Sequence, residues 1–200
     1  LGRAAHEGAT VAVAKDGRAV IYMGEDARFE YIYKFVSRDA IKPGGARANA
    51  DLLDHGTLYV ARFDADGRGQ WLPLVHGQGP LTAANGFADQ GDVLIKSRQA
   101  SDLLGATKMD RPEWIAVDKQ GWVYTTLTNN SNRGGANQPA VDAANPRANN
   151  TQGNIIRWKE DGDFSGQTFA WNHFVMAGDP SLERAEAKGN IKGDMFSCPD

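Results

Sequence analysis

Apolar and polar positions alternate in eight short runs: TVAVA (10–14), AVIYMG (19–24), FEYIYKFV (29–36), GTLYVARFD (56–64), WLPLV (71–75), WIAVD (114–118), WVYTTLT (122–128) and NIIRWK (154–159). Each is rich in Val, Ile, Tyr or Trp and is bounded by turn formers such as KDG, DADG, KQG and EDG, which predicts strands. One segment departs from this period. In FADQGDVLIKSRQASDLLGA (87–106), Val93, Leu94, Ser97, Ser101 and Leu104 recur at near-helical spacing and Gly105 offers a C-terminal stop, so an inserted helix is expected there. Residues 131–153 form a polar stretch dense in Asn, Gly and Pro, of a length that in compact domains is either functional or disordered. Residues 37–55 and 176–194 read as charged surface excursions.

The runs recur in a fixed order. HEGATVAVAKDGRAVIYMG followed by YIYKFV matches PEWIAVDKQGWVYTTLT followed by NIIRWKEDG: a glutamate, a strand, a Lys-x-Gly turn, a second strand, then a third ending in a basic and an aromatic residue. Glu7, Glu113 and Asp200 open successive copies, 106 and 87 residues apart, about two blades per interval if a blade takes roughly 40 to 50 residues. The fold class predicted is all-β, a partial β-propeller over residues 1–200 covering about four blades and truncated at both ends. In such a ring the innermost strands start on one face around the axis, so carboxylates at their first positions would converge. Lys34 and Arg157, on strands that alternate cleanly, are expected to point outward.

Composition narrows the function without naming it. A net charge of -3 and a pI near 5.8 give no general field for nucleic acid, and no stretch approaches the roughly 20 apolar residues that span a bilayer. One cysteine, Cys198, excludes an internal disulfide and a zinc site built on cysteines alone, and with no His near it a nucleophile reading is weak. No nucleophile elbow, Walker loop or dinucleotide fingerprint is present.

The candidate chemistry lies where strands begin: Glu7 beside His6, Glu113 two residues after Arg111, Asn129 and Asn130 after a strand, and Asp200. These are hard oxygen donors of the kind that suits calcium or ferric iron. The alternative is that Glu7 and Glu113 are rim residues paired with Arg3 and Arg111. His6 is expected to orient a carboxylate rather than ligate metal. Arg111 is either a phosphate or carboxylate clamp or the counter-ion of Glu113 or Asp110. Arg133, in TNNSNRGG, could add charge to an oxyanion site or belong to an ordinary Asx-turn loop. RFDADGRGQ (62–70) starts like a calcium loop but lacks its closing glutamate, so a hairpin turn is expected.

Taken together, HEGATV, YMGEDARFEYIYKFVS, GATKMDRPEWIAVD, TLTNNSNRG, NPRANNTQGNIIRW and FSCPD resemble the PhoX family of bacterial alkaline phosphatases, from about residue 2 to residue 200. The resemblance implies a six-bladed propeller hydrolysing phosphate monoesters with a cluster of ferric iron (Fe3+) and calcium (Ca2+) bridged by an oxo group in its channel. By position it implies that Glu7, Glu113 and Asp200 are cluster carboxylates, that Arg111 contacts phosphate, and that Arg111 and Glu113 carry catalysis. His6, Asn129, Asn130 and Arg133 would then be substrate or supporting residues. The family's ligand cysteine lies upstream of the matched region, and Cys198 does not take its place. Periplasmic location by twin-arginine export and a monomeric full-length protein are further expectations of the same resemblance.

Two other readings stay open: a calcium-dependent lactonase-like propeller, whose Glu, Asn and Asp donors surround one cation, and a propeller that binds a partner and catalyses nothing. An open ring leaves strand edges exposed, so the isolated chain is expected to be prone to association and to inactivity.

Overall fold

The computed structural model describes residues 1–193 and 195–200. Nine strands form one antiparallel sheet: β1 (His6–Val13), β2 (Arg18–Glu25), β3 (Ile32–Ala40), β4 (Gly56–Phe63), β5 (Arg68–Pro73), β6 (Pro112–Val117), β7 (Val123–Leu127), β8 (Asn154–Glu160) and β9 (Thr168–Met176). Their order is β1-β2-β3-β4-β5-β9-β8-β7-β6, two meanders joined at β5 and β9 through Arg68–Ala170, Gly69–Phe169 and Gln70–Thr168. The two ends of the sheet meet: Thr10 Oγ1 on β1 donates to the Ile115 carbonyl on β6.

The all-β expectation holds, and the sequence repeat is the β1-β2-β3 and β6-β7-β8 correspondence. The spacing suggests about four blades, whereas the strands form two meanders. Insertions, residues 74–111 between β5 and β6 and 128–153 between β7 and β8, lengthen the intervals, so one copy of the repeat is one meander and not two blades. The ninth strand, β9, has alternate residues Phe169, Trp171 and Val175 buried, with a half-buried His173 standing in the apolar series. The DADG segment is a hairpin turn, closed by Asp64 N–H to the Arg68 carbonyl at 2.8 Å with Gly67 at φ 81°, which a side chain would resist.

Two apolar cores result. One lies between the meanders, around Tyr22, Phe63, Trp71, Ile115, Trp158, Phe169 and Trp171. The other covers the outer flank of β2 to β4 with Ile21, Met23, Tyr33, Phe35, Leu58 and Val60, and is closed by the inserted helical segment through Phe87, Val93 and Ala100. That segment is a pair of helices. After the one-turn α1 (Gly45–Ala48), α2 (Gln90–Ile95) begins at Asp89, whose side chain accepts from Asp92 N–H, and α3 (Ser97–Leu104) stops at Gly105 as expected. Lys96 falls outside helical geometry and divides them. No helix of the described residues is long and apolar enough to cross a membrane.

Lys34 does not point outward. It is fully buried, with Nζ 2.8 Å from Glu160 Oε2 and 3.3 Å from the Phe164 carbonyl, while Glu160 also accepts from Trp71 Nε1 at 3.1 Å and from the Tyr22 hydroxyl. Burial pushes the Glu160 carboxyl up and the Lys34 ammonium down, and their mutual contact opposes both shifts. The polar pair ties the first meander to β8, and Arg157, as expected, stays near the surface, stacked 4.4 Å from the Trp122 ring.

Candidate functional site

The repeat leaves a distinctive mark at the starts of β1 and β6. Against β2, His6 pairs with Glu25 and Ala9 with Met23; against β7, Pro112 pairs with Leu127 and Ile115 with Thr125. In each case the segment holding the glutamate has one residue more than its partner, a β-bulge that re-aims side chains where strands begin. Glu7 and Glu113 therefore occupy matching bulges. They lie close together in the fold, since a Cβ on Gly8 would stand 3.3 Å from Trp114 Cα, and one on Gly24 would stand 2.6 Å from the Pro112 carbonyl oxygen.

Glu113 is buried, at 5 % exposure, although it opens a strand. Its carboxyl lies 3.1 Å from Arg111 Nη2 and close beside that of Asp200. Burial first, and then Asp200, push its pKa up to about 8; Arg111 pulls the other way without compensating. Two carboxyls in contact, one of them buried, favour a shared proton or a bound cation.

Arg111 has a left-handed backbone, φ 57°, unusual for a residue with a Cβ. Its Nε donates to Asp26 Oδ1 at 2.9 Å and its Nη2 to Asp26 Oδ2 at 3.1 Å, so one aspartate grips one edge of the guanidinium. That grip is the main cause holding the Arg111 pKa above its ordinary value. Asp26 is fixed in turn: its N–H donates to the Ala5 carbonyl at 3.0 Å, and the turn after it is zipped to the chain before Arg111 by Phe29 N–H to Met109 O and Met109 N–H to Glu30 O, both 2.9 Å. Arg111 is thus the counter-ion of Glu113, as one sequence reading allows, but its principal partner is Asp26.

Behind Arg111, Asp110 is fully buried and accepts from Asn130 Nδ2 at 2.9 Å, Arg133 Nε at 2.8 Å and Asn150 Nδ2 at 3.0 Å. Arg133 also donates to the Ala140 and Lys108 carbonyls, 3.1 and 2.6 Å away. Asn130 and Arg133 are therefore committed to a buried network that orders the 131–153 loop and supports the segment carrying Arg111. A substrate-binding place for Arg133 does not fit its 1 % side-chain exposure. Asn129 is half-buried, with Nδ2 3.8 Å from Cys198 Sγ. The C-terminal residues thus meet the chain just after β7, where Thr128 N–H donates to the Arg111 carbonyl at 3.2 Å.

His6 corrects its expectation. Its Nε2 bonds the Gly2 carbonyl at 3.1 Å and its ring packs edge-on to Tyr33, so it orients no carboxylate; neighbouring residues on a strand project to opposite faces. Glu7 is exposed and, among the described residues, makes no ion pair with Arg3. A hollow of about 630 Å³ is lined by Phe35, Arg38, His55 and Leu58 among others and by none of these site residues. Asp26 is the site residue that motif reading missed. It is 85 residues from Arg111 in sequence, and the available signal was the repeat itself, which puts GED at the end of β2 where TLT ends β7.

For a bound cation, the chain offers Glu113 and Asp200 already in contact and Glu7 on the adjoining bulge. Among the described residues no three His, Cys, Asp or Glu side chains converge on one point. The donor chemistry nevertheless fits a hard cation, which would favour the ionised form of Glu113 that burial disfavours.

Three comparisons bear on this arrangement. The family model described as alkaline phosphatase PhoX matches residues 1–200. A solved structure of Pseudomonas fluorescens PhoX in complex with vanadate, a transition state analogue, is 53 % identical with a TM-score of 0.94, covering 100 % of this chain and 37 % of that one. The chain therefore spans little more than a third of the length of that relative. No curated protein matches significantly.

Proposed function

Since this chain belongs to the PhoX alkaline phosphatase family, we propose that it forms part of a metal-dependent phosphatase that releases inorganic phosphate from phosphate monoesters, and that Arg111, Glu113, Asp200 and Glu7 lie at its centre. The observation that carries this reading is the convergence of Arg111, Glu113 and Asp200 at the bulged start of β6. Support comes also from the similarity to a protein crystallised with vanadate. The rest of a six-bladed ring would come from sequence beyond this segment.

In this reading Glu113, Asp200 and Glu7 hold iron and calcium through their carboxylate oxygens. When bound, the cations neutralise charge on the phosphoryl oxygens. Arg111, held on its Nε edge by Asp26, would present its remaining donors to a phosphoryl oxygen. Asn129 supplies an amide at the rim. The Asp110 network keeps the Arg111 segment from moving as substrate binds, which preserves the alignment on which phosphoryl transfer depends. The same reading puts the protein in the periplasm as a monomer; cell fractionation and sizing of the full-length protein test those two points.

The direct test pairs metal content with turnover. Glu113→Gln is expected to lose iron or calcium and hydrolysis together, whereas Arg111→Ala keeps its metals and raises KM for a chromogenic monoester roughly tenfold or more. Full metal content in Glu113→Gln would remove Glu113 from the ligand set.

A further inference from the structure

Arg111 is held on one edge only. Asp26 takes Nε and Nη2, Glu113 lies 3.1 Å from Nη2, and among the described residues Nη1 has no partner although the side chain is 30 % exposed. Arginine side chains have several rotatable bonds, and one with a single carboxylate neighbour would be free to fold toward whichever anion is nearest. Here two carboxylates compete for it, and Glu113 is the closer in sequence. The aspartate is the one that takes two parallel bonds, which fixes the plane of the guanidinium as well as its position.

We infer that Asp26 is the positioning residue for Arg111: it fixes the plane of the guanidinium with the Nη1 edge presented to a phosphate oxygen. The inference rests on the phosphatase reading for the identity of the anion, but its physical content is a coupling between Asp26 and Arg111 in anion binding. The geometry supports it from three sides. The Asp26 backbone is fixed by the Ala5 carbonyl, and the following turn is zipped to residues 109–110 by the Phe29 and Met109 bonds and the Arg28–Asp110 bridge. Gly24, two residues earlier, packs so closely on the Pro112 carbonyl that a side chain there would separate β2 from β6. The left-handed backbone of Arg111 turns its side chain off the line of β6 toward Asp26.

This role makes a prediction opposite in sign to that of plain electrostatics. Asp26 is an anion beside an anion site, so removing its charge would by itself tighten phosphate binding. If positioning dominates, removal weakens it. The experiment measures inorganic phosphate binding by calorimetry on the full-length, metal-loaded protein, with monoester hydrolysis and thermal unfolding alongside, for wild type, Asp26→Asn, Arg111→Ala and the double variant. Asp26→Asn is expected to weaken phosphate binding roughly tenfold, and to cause no further loss in the Arg111→Ala background, because a residue acting through another has no effect once the other is gone. Asp26→Glu, which restores the carboxylate on a longer arm, is expected to recover part of the loss.

Phosphate binding unchanged or tightened in Asp26→Asn would overturn the inference, as would an equal loss with and without Arg111, or a wild-type protein that binds no phosphate. Phosphate binding that shows the coupling in a protein that hydrolyses no monoester would uphold the inference and overturn the phosphatase reading.

Discussion

Glu30 sits beside the fully buried Glu25 at the turn between β2 and β3, and its Oε2 has no hydrogen bond among the described residues. Burial, and after it the Glu25 carboxylate, raise its pKa to about 7, against the pull of Arg98. A carboxyl whose folded pKa exceeds its unfolded value favours folding when protonated, so its contribution falls as pH rises from about 4.5 to about 7. Glu30→Gln should therefore raise the melting temperature at pH 8, by a few degrees on the order expected for a protein of this size, and leave it nearly unchanged at pH 4. Equal shifts at both pH values would show that the charge is not the cause. None of this is visible in FEYIYKFV, where Glu30 reads as one polar position in a strand: its environment comes from Glu25 and from Arg98 on α3, 68 residues away. Arg111 and Glu113 were legible for the opposite reason. An arginine and a glutamate in front of an apolar alternation raise a local electrostatic question, and the answer is partly local.

At the scale of elements, the sequence showed the strands because burial of alternate side chains is a property of each run by itself. It also showed the repeat, and through the repeat the equivalence of Glu7 and Glu113. What it could not show was the number of strands each copy uses, since the partner of β5 is β9 and lies about a hundred residues on, and β9 carries Asn172 and His173 where an apolar run would be easier to see. The bulges follow from backbone register, which has no composition of its own. Gly24 is where the two copies are pressed together, and it gives the element-scale test. Gly24→Ala places a Cβ against the Pro112 carbonyl, a backbone atom that cannot swing aside. A loss of about 1–3 kcal/mol is expected, measured by denaturant unfolding, with weaker phosphate binding because Asp26 directly follows β2. A variant as stable as the wild type would mean that β2 and β6 can part without cost.

Over the whole molecule, the two meanders are joined by an apolar core, by β5–β9 pairing and by the buried Lys34–Glu160 pair, whose extra partners Tyr22 and Trp71 come from the first meander. Lys34 was misread because strand alternation gives a side chain's face and not what packs on that face. This frame brings the starts of β1 and β6 together at one end, and there Asp26, Arg111, Glu113 and Asp200 meet. The central claim is that phosphate is handled at that place. The most direct measurement is a crystal structure of the full-length, metal-loaded protein with vanadate. The account predicts vanadate within hydrogen-bonding distance of Arg111 Nη1, Asp26 still on the Nε edge, and Glu113 and Asp200 on metal. Vanadate bound elsewhere, with no contact to Arg111 and no metal at either carboxylate, would contradict it.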